Sequence, residues 1–135
     1  MTGLLGDADV QGHVAVLIAA CRGPKWRDLW DALAIRVWSF NDIGLTRASA
    51  DAEVWAACQV HGLVLITGNR NAAGPDSLEV TIRTRGTPDS LPVLTLANRD
   101  RLARDRSYAE DVAGRLIEIT MEIDRHRGTG RMYLP

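Results

Sequence analysis

Polar residues that could bind a metal ion follow several of the apolar segments of this chain. Asp7 and Asp9 come after the short apolar pair Leu4–Leu5, and Asn69 and Asn71 follow an apolar run at 63–67. Two further apolar segments end in the same way, and the polar residues there are Asn41, Asp42, Asn98 and Asp100. Carboxylate and amide oxygens are the ligands that hard cations such as Mg²⁺ and Mn²⁺ prefer.

Asp51 adds a further carboxylate, because it stands at the predicted start of a helix and can point into the same crevice. A divalent ion held there could activate water and neutralise charge on a phosphodiester. A second interpretation stays open, since Asp, Asn and Gly also follow strands simply to cap helices and form turns.

Five segments have the pattern of β-strands, and helical patterns separate them. The apolar run 63–67 predicts a strand that is buried on both faces. The other predicted strands end at Leu5 or cover 35–40, 92–96 and 132–134. Strands that alternate with helices predict a mainly parallel central sheet covered on both sides. We therefore expect a three-layer α/β/α fold in one domain spanning residues 1–135.

The predicted helices connect the strands and so determine where the polar residues at the strand ends lie. Apolar spacing predicts helices over 10–20, over a segment from Trp26 to Leu33, and over 49–61, 76–85 and 107–125. Ser49, Asp76 and Ser107 are the predicted N-caps, the last two in capping-box spacing with Glu79 and Glu110. Trp26 and Trp30 share one helical stripe and are expected in the core or at a dimer interface.

The composition is that of an ordinary globular domain. Of the 135 residues, 46% are hydrophobic and 24% are charged, and the net charge of −1 gives no overall field that would attract nucleic acid. The two cysteines, Cys21 and Cys58, lack a partner motif and suit a reducing compartment. The sequence has neither a signal-peptide pattern nor an apolar run that could cross a bilayer, so we expect a cytoplasmic protein without a membrane partner.

Other reaction chemistries find little support. The Gly-x-Ser-x-Gly elbow, the P-loop and the dinucleotide-binding glycine pattern are all missing from the sequence. His13, His61 and His126 are scattered along the chain and predict no ligand set. Three arginines, Arg70, Arg83 and Arg85, could hold phosphate, although solvated helix-surface arginine is the other interpretation.

The chain resembles a known family. Three segments, 4–7, 49–55 and 65–71, are similar to those of bacterial PIN-like domains, the fold of many toxin–antitoxin ribonucleases. A closer resemblance to one bacterial PIN-like group covers nearly the whole chain, and its motifs lie at 69–71, 76–79, 90–95 and 127–131.

This resemblance implies a metal-dependent ribonuclease that uses Mg²⁺ or Mn²⁺ to hydrolyse phosphodiester bonds. Asp7, Asp51 and Asn69 match the catalytic positions, while Asp9 and Asn71 join Asp7 and Asp51 as expected metal ligands. RNA is the expected substrate, and an antitoxin-like protein is an expected partner.

The chain departs from the family pattern directly after Thr67. The group usually has aspartate where Gly68 stands, and broader relatives have it where Asn69 stands. Losing one carboxylate weakens the attraction for a divalent ion. Asp9, Asn71 or Asp76 could compensate. The alternative prediction is therefore a PIN-like domain that no longer cleaves RNA. Such a domain would act as a binding module, and a homodimer is one form that we expect for it.

Overall fold

A computed structural model describes residues 1–69, 74 and 77–135 of the chain. Within these residues five strands form one sheet: β1 (Gly3–Gly6), β2 (Arg36–Trp38), β3 (Leu63–Thr67), β4 (Val93–Leu96) and β5 (Arg131–Leu134). The α-helices are α1 (Gln11–Cys21), α2 (Arg27–Leu33), α3 (Asp51–His61), α4 (Leu78–Arg85), α5 (Arg99–Arg104) and α6 (Arg106–Met121). Short 3₁₀ helices cover Ala8–Val10, Phe40–Ile43 and Ile123–His126.

All strand pairs of the described sheet are parallel, in the order β2-β1-β3-β4-β5. The chain leaves β1 toward one edge to form β2 and then returns past β1 to form β3. The strand order therefore reverses between β1 and β3, and crevices for ligands form at such a point beyond the carboxyl ends of the strands. Leu5 pairs with Leu65 in this central pair of strands, so Asp7 and the residues after Thr67 leave the sheet side by side.

The alternation of side chains along the strands divides the core into two parts. Leu4, Val64 and Ile66 face α1, α2, α5 and α6, whereas Leu5 and Leu65 face α3 and α4. Every residue of β3 is buried because both faces of the sheet are covered. The three-layer α/β/α arrangement predicted from the sequence is thereby confirmed.

The connection from β4 to β5 lies on an unusual side of the sheet. It runs in the same direction across the sheet as the connection from β3 to β4, but its helices α5 and α6 pack on the opposite face from α4. The two connections must therefore differ in hand, although right-handed connections are strongly preferred. This placement brings α5, which the sequence did not predict, to the carboxyl end of β3.

The helix starts differ from the predicted caps by one or two residues. Ser77 caps α4, and its Oγ accepts a hydrogen bond from the backbone N–H of Val80 at 3.3 Å. The predicted cap, Asp76, lies outside the described residues. Asp105, not Ser107, caps α6. Ser49 caps no helix, because its Oγ accepts from the N–H of Thr46 within the preceding loop.

The remaining sequence predictions concern the core and the membrane. Trp30 is buried in the core, and Trp26 packs against its edge. Cys21 and Cys58 are both buried and unpaired. No helix in the described part of the chain combines the length and the apolar character needed to cross a membrane.

Candidate functional site

A cavity of about 430 Å³ opens beyond the carboxyl ends of β1 and β3, where the strand order reverses. It gathers residues from four separate parts of the sequence. Its charged and amide side chains are those of Asp7, Asp9, Arg47, Asp51, Asn69 and Arg99. Four of the five site residues expected from the sequence, Asp7, Asp9, Asp51 and Asn69, line this cavity. The fifth, Asn71, lies outside the described residues.

Asp7 is the most constrained side chain of this cavity, with 9% of its surface exposed. One carboxylate oxygen accepts a hydrogen bond from the N–H of Ala8, and the other accepts from Oγ1 of Thr67, each at 2.8 Å. Burial raises the pKa of Asp7, the two hydrogen bonds lower it, and the negative charges of Asp9 and Asp51 raise it further. The net direction is upward, so the folded protein holds this carboxylate at a cost that a bound cation would offset.

Asp51 and Asn69 form a second pair on the cavity wall. Asp51 is the first residue of α3, where the partial positive charge of a helix start favours a carboxylate. Nδ2 of Asn69 donates to Oδ2 of Asp51 at 2.8 Å. Asn69 thus orients the carboxylate of Asp51.

Thr67 links the two pairs. Its buried hydroxyl donates to Asp7 and accepts from the backbone N–H of Asn69 at 2.9 Å. Sequence reasoning missed this residue, although a hydroxyl at the end of an otherwise apolar strand is a usable signal. Its position connects the carboxylate after β1 with the amide that orients Asp51.

Asp9 faces the cavity together with an arginine. Nη1 of Arg99 lies 3.5 Å from Oδ2 of Asp9, and both side chains are partly exposed. The same guanidinium lies against Gly68: a Cβ added at Gly68 would be 3.0 Å from Cζ of Arg99. A side chain at position 68, such as the aspartate expected from the PIN-like resemblance, would therefore require Arg99 to shift.

A buried arginine supports the loop that carries Asn69. The guanidinium of Arg131, on β5, donates to the backbone oxygen of Asn69 at 2.8 Å and to Oγ1 of Thr95. It also pairs with Glu79 on α4 at 2.9 Å, and only 7% of its side chain is exposed. Glu79 thus pairs with Arg131, whereas its predicted capping-box partner Asp76 lies outside the described residues. Arg131 belongs to the sequence motif at 127–131, but its partners could not be predicted because they are far apart along the chain.

Two of the other polar residues at strand ends, Asn98 and Asp42, have structural roles. Oδ1 of Asn98 caps α5 by accepting from the N–H of Arg101. Asp42 accepts from the N–H of Ser39 at 2.8 Å and so completes the capping box of the 3₁₀ helix Phe40–Ile43, whose N-cap is Ser39. Cys58 lies near Asp7, and burial raises the pKa of its thiol to about 12, with a smaller contribution from the charge of Asp7. This cysteine is a core residue and not a nucleophile.

The oxygen ligands of the cavity suit a hard cation but fill only part of its coordination shell. Within residues 1–69, 74 and 77–135, no group of three or more His, Cys, Asp or Glu side chains is placed to hold a metal ion together. Mg²⁺ commonly uses only one or two protein carboxylates and keeps several waters. Asp7 and Asp51, each oriented by a hydrogen bond from a neighbouring side chain, fit that requirement.

No protein-family model, curated protein or solved structure matches this chain. The PIN-like resemblance therefore stays a prediction, and the geometry of the cavity is the evidence on which a function can be argued.

Proposed function

We propose that this protein is a metal-dependent nuclease that hydrolyses phosphodiester bonds in RNA. The observation that carries the proposal is the buried carboxylate of Asp7, held at the point where the strand order reverses, in one cavity with Asp9 and Asp51. A buried carboxylate near two others raises the free energy of the folded protein unless a cation balances it.

Asp7 and Asp51 are the residues that would hold Mg²⁺ or Mn²⁺, and Asn69 keeps Asp51 in place through its Nδ2. Such an ion, when bound, polarises a phosphoryl oxygen and lowers the pKa of water. Asp9 lies on the partly exposed side of the cavity, where a proton can pass between substrate and solvent. Asn71, the remaining expected ligand, belongs to this proposal on sequence grounds alone.

Cleavage of a fluorescent single-stranded RNA tests the proposal. With Mn²⁺ we expect cleavage by the wild-type protein, and with EDTA we expect none. Asp51→Asn should reduce the rate by about 100-fold or more, since it removes one of two charged ligands. Asp100→Asn is the matched control, because Asp100 follows the neighbouring strand but does not line the cavity. Equal rates for Asp51→Asn and wild type would refute the proposal.

A second function, a PIN-like binding module that does not cleave, is favoured by one observation. Arg99 occupies the space beside Gly68 where the family pattern has a carboxylate. Under this function the protein binds RNA, an antitoxin-like partner or a second copy of itself, and the cleavage assay gives no product with any divalent metal. A cytoplasmic location accompanies both functions and agrees with the unpaired cysteines.

A further inference from the structure

Arg99 is placed to do more than neutralise Asp9. It is the first residue of α5, directly after the loop that leaves β4, and its side chain extends across Gly68. Because glycine has no side chain, the guanidinium lies against the backbone that follows β3. Its position is therefore at the centre of the edge where β1, β3 and β4 end.

The pairing of Arg99 leaves most of its hydrogen-bonding capacity unused. An arginine has five N–H donors, and among the described residues its guanidinium makes one long contact, at 3.5 Å to Asp9. The side chain is 43% exposed and the cavity is open to solvent beside it. This fork of donors can bind two oxygens of a phosphate group.

The charges around the cavity point to the same ligand. Three carboxylates, of Asp7, Asp9 and Asp51, face two guanidinium groups, of Arg47 and Arg99. The lining therefore has an excess of one negative charge, which one divalent cation converts into an excess of one positive charge. A single phosphodiester, with one negative charge, would then make the site neutral.

We propose that Arg99 is the phosphate-binding residue of this cavity, and that its guanidinium, in the space beside Gly68, holds a phosphodiester group of single-stranded RNA. The proposal rests on the proposed function in one respect, that RNA is the ligand. Arg99 thereby replaces the carboxylate of the family pattern with a group that binds substrate and not metal.

The first test measures binding of a fluorescent single-stranded RNA by anisotropy, in EDTA and in Ca²⁺. Arg99→Ala should weaken binding about tenfold and reduce the salt dependence of log K by about 0.7, the value for one phosphate contact on a single strand. Arg99→Lys keeps the charge but loses the fork, so its affinity should be intermediate. Arg125→Ala is the control, because this exposed arginine beyond the far end of α6 makes the same charge change.

The second test measures Mn²⁺ binding to the same variants by calorimetry. Removing a positive charge beside Asp9 should strengthen Mn²⁺ binding severalfold in Arg99→Ala, whereas RNA binding weakens. Changes in opposite directions distinguish a phosphate-binding role from general damage to the fold, which would weaken both.

Unchanged RNA affinity in Arg99→Ala would overturn the proposal, and so would a wild-type protein that does not bind RNA in either buffer. The proposed function is tested separately by cleavage and by Asp51→Asn. If Asp51→Asn abolishes cleavage while Arg99→Ala binds RNA normally, the nuclease assignment stands and the role of Arg99 fails.

Discussion

Two aspartates of this protein perform the same local task in opposite surroundings. Asp7, in the cavity beyond β1, caps the 3₁₀ helix Ala8–Val10, and Asp105, at the corner between α5 and α6, caps α6. Each carboxylate accepts a backbone N–H, at 2.8 Å from Ala8 and at 3.1 Å from Tyr108. The local geometry of a cap therefore does not distinguish them.

Their ionisation does distinguish them. The pKa of Asp105 is lowered, first by the hydrogen bond from the N–H of Tyr108 and then by that from Arg101. The pKa of Asp7 is raised, because burial outweighs its two hydrogen bonds. An exposed capping aspartate thus stabilises the fold in its charged form, whereas the charged form of Asp7 destabilises it. A bound cation, as in the proposed function, would offset that cost.

Each of the two regions also contains an arginine, and replacing the one near the cavity should have the largest effect on stability. Arg131→Met should reduce the free energy of unfolding by about 3 kcal/mol, because it leaves Glu79 and the backbone oxygen of Asn69 without their buried partner. Arg101→Met removes the exposed partner of Asp105 and should change stability much less. Urea denaturation measures both, and equal losses would contradict the distinction between the two regions.

Asp7→Asn should stabilise the protein at neutral pH, since it removes a buried charge. The raised pKa fixes the sign of the pH dependence. Below the pKa of the unfolded state both states hold a protonated Asp7, and no penalty exists. The penalty grows as the pH rises through the folded pKa. The advantage of Asp7→Asn should therefore vanish in acid, as thermal denaturation from pH 7 down to about pH 3 can measure. A destabilised variant at neutral pH would refute this account.

Asp105→Ala should have the smallest effect and the opposite sign. We expect its Tm to fall by a few degrees at neutral pH, because α6 loses its cap. The pKa of Asp105 is lowered, so its stabilisation is present above the unfolded pKa and disappears as the pH falls through the folded pKa. The Tm values of wild type and variant should then converge in acid. Here a stabilising charge is lost at low pH, whereas for Asp7 a destabilising charge is lost. Divergence of the two Tm values on acidification would contradict the sign.

The layers of the fold could be predicted because the hydrophobic pattern of each strand and helix lies within a short stretch of sequence. The apolar run 63–67 became the central strand β3, and the predicted edge strand near the C-terminus became β5. The exact N-cap residues of the helices were harder to predict. Ser77 and Asp105 cap α4 and α6, and each stands within two residues of another Ser or Asp with a similar capping preference.

The carboxylates of the site could also be predicted, because parallel strands end at a common edge. The sequence placed Asp7 with Asp51 and Asn69, and the cavity contains all three. It could not place Arg99 or Arg131, whose contacts join residues far apart in the chain: Arg99 is 90 positions from Asp9, and Arg131 is 62 from Asn69. Such pairs depend on strand order and on the face that α5 covers.

Calorimetric titration of Mn²⁺ into the wild-type protein and into Asp7→Asn measures the metal binding on which the proposed function depends. Wild type is expected to bind about one ion at millimolar concentration or below. Asp7→Asn, although more stable at neutral pH, is expected to bind none. A wild type that gives no binding heat at millimolar Mn²⁺, or an Asp7→Asn variant that binds as wild type does, would contradict the proposed function.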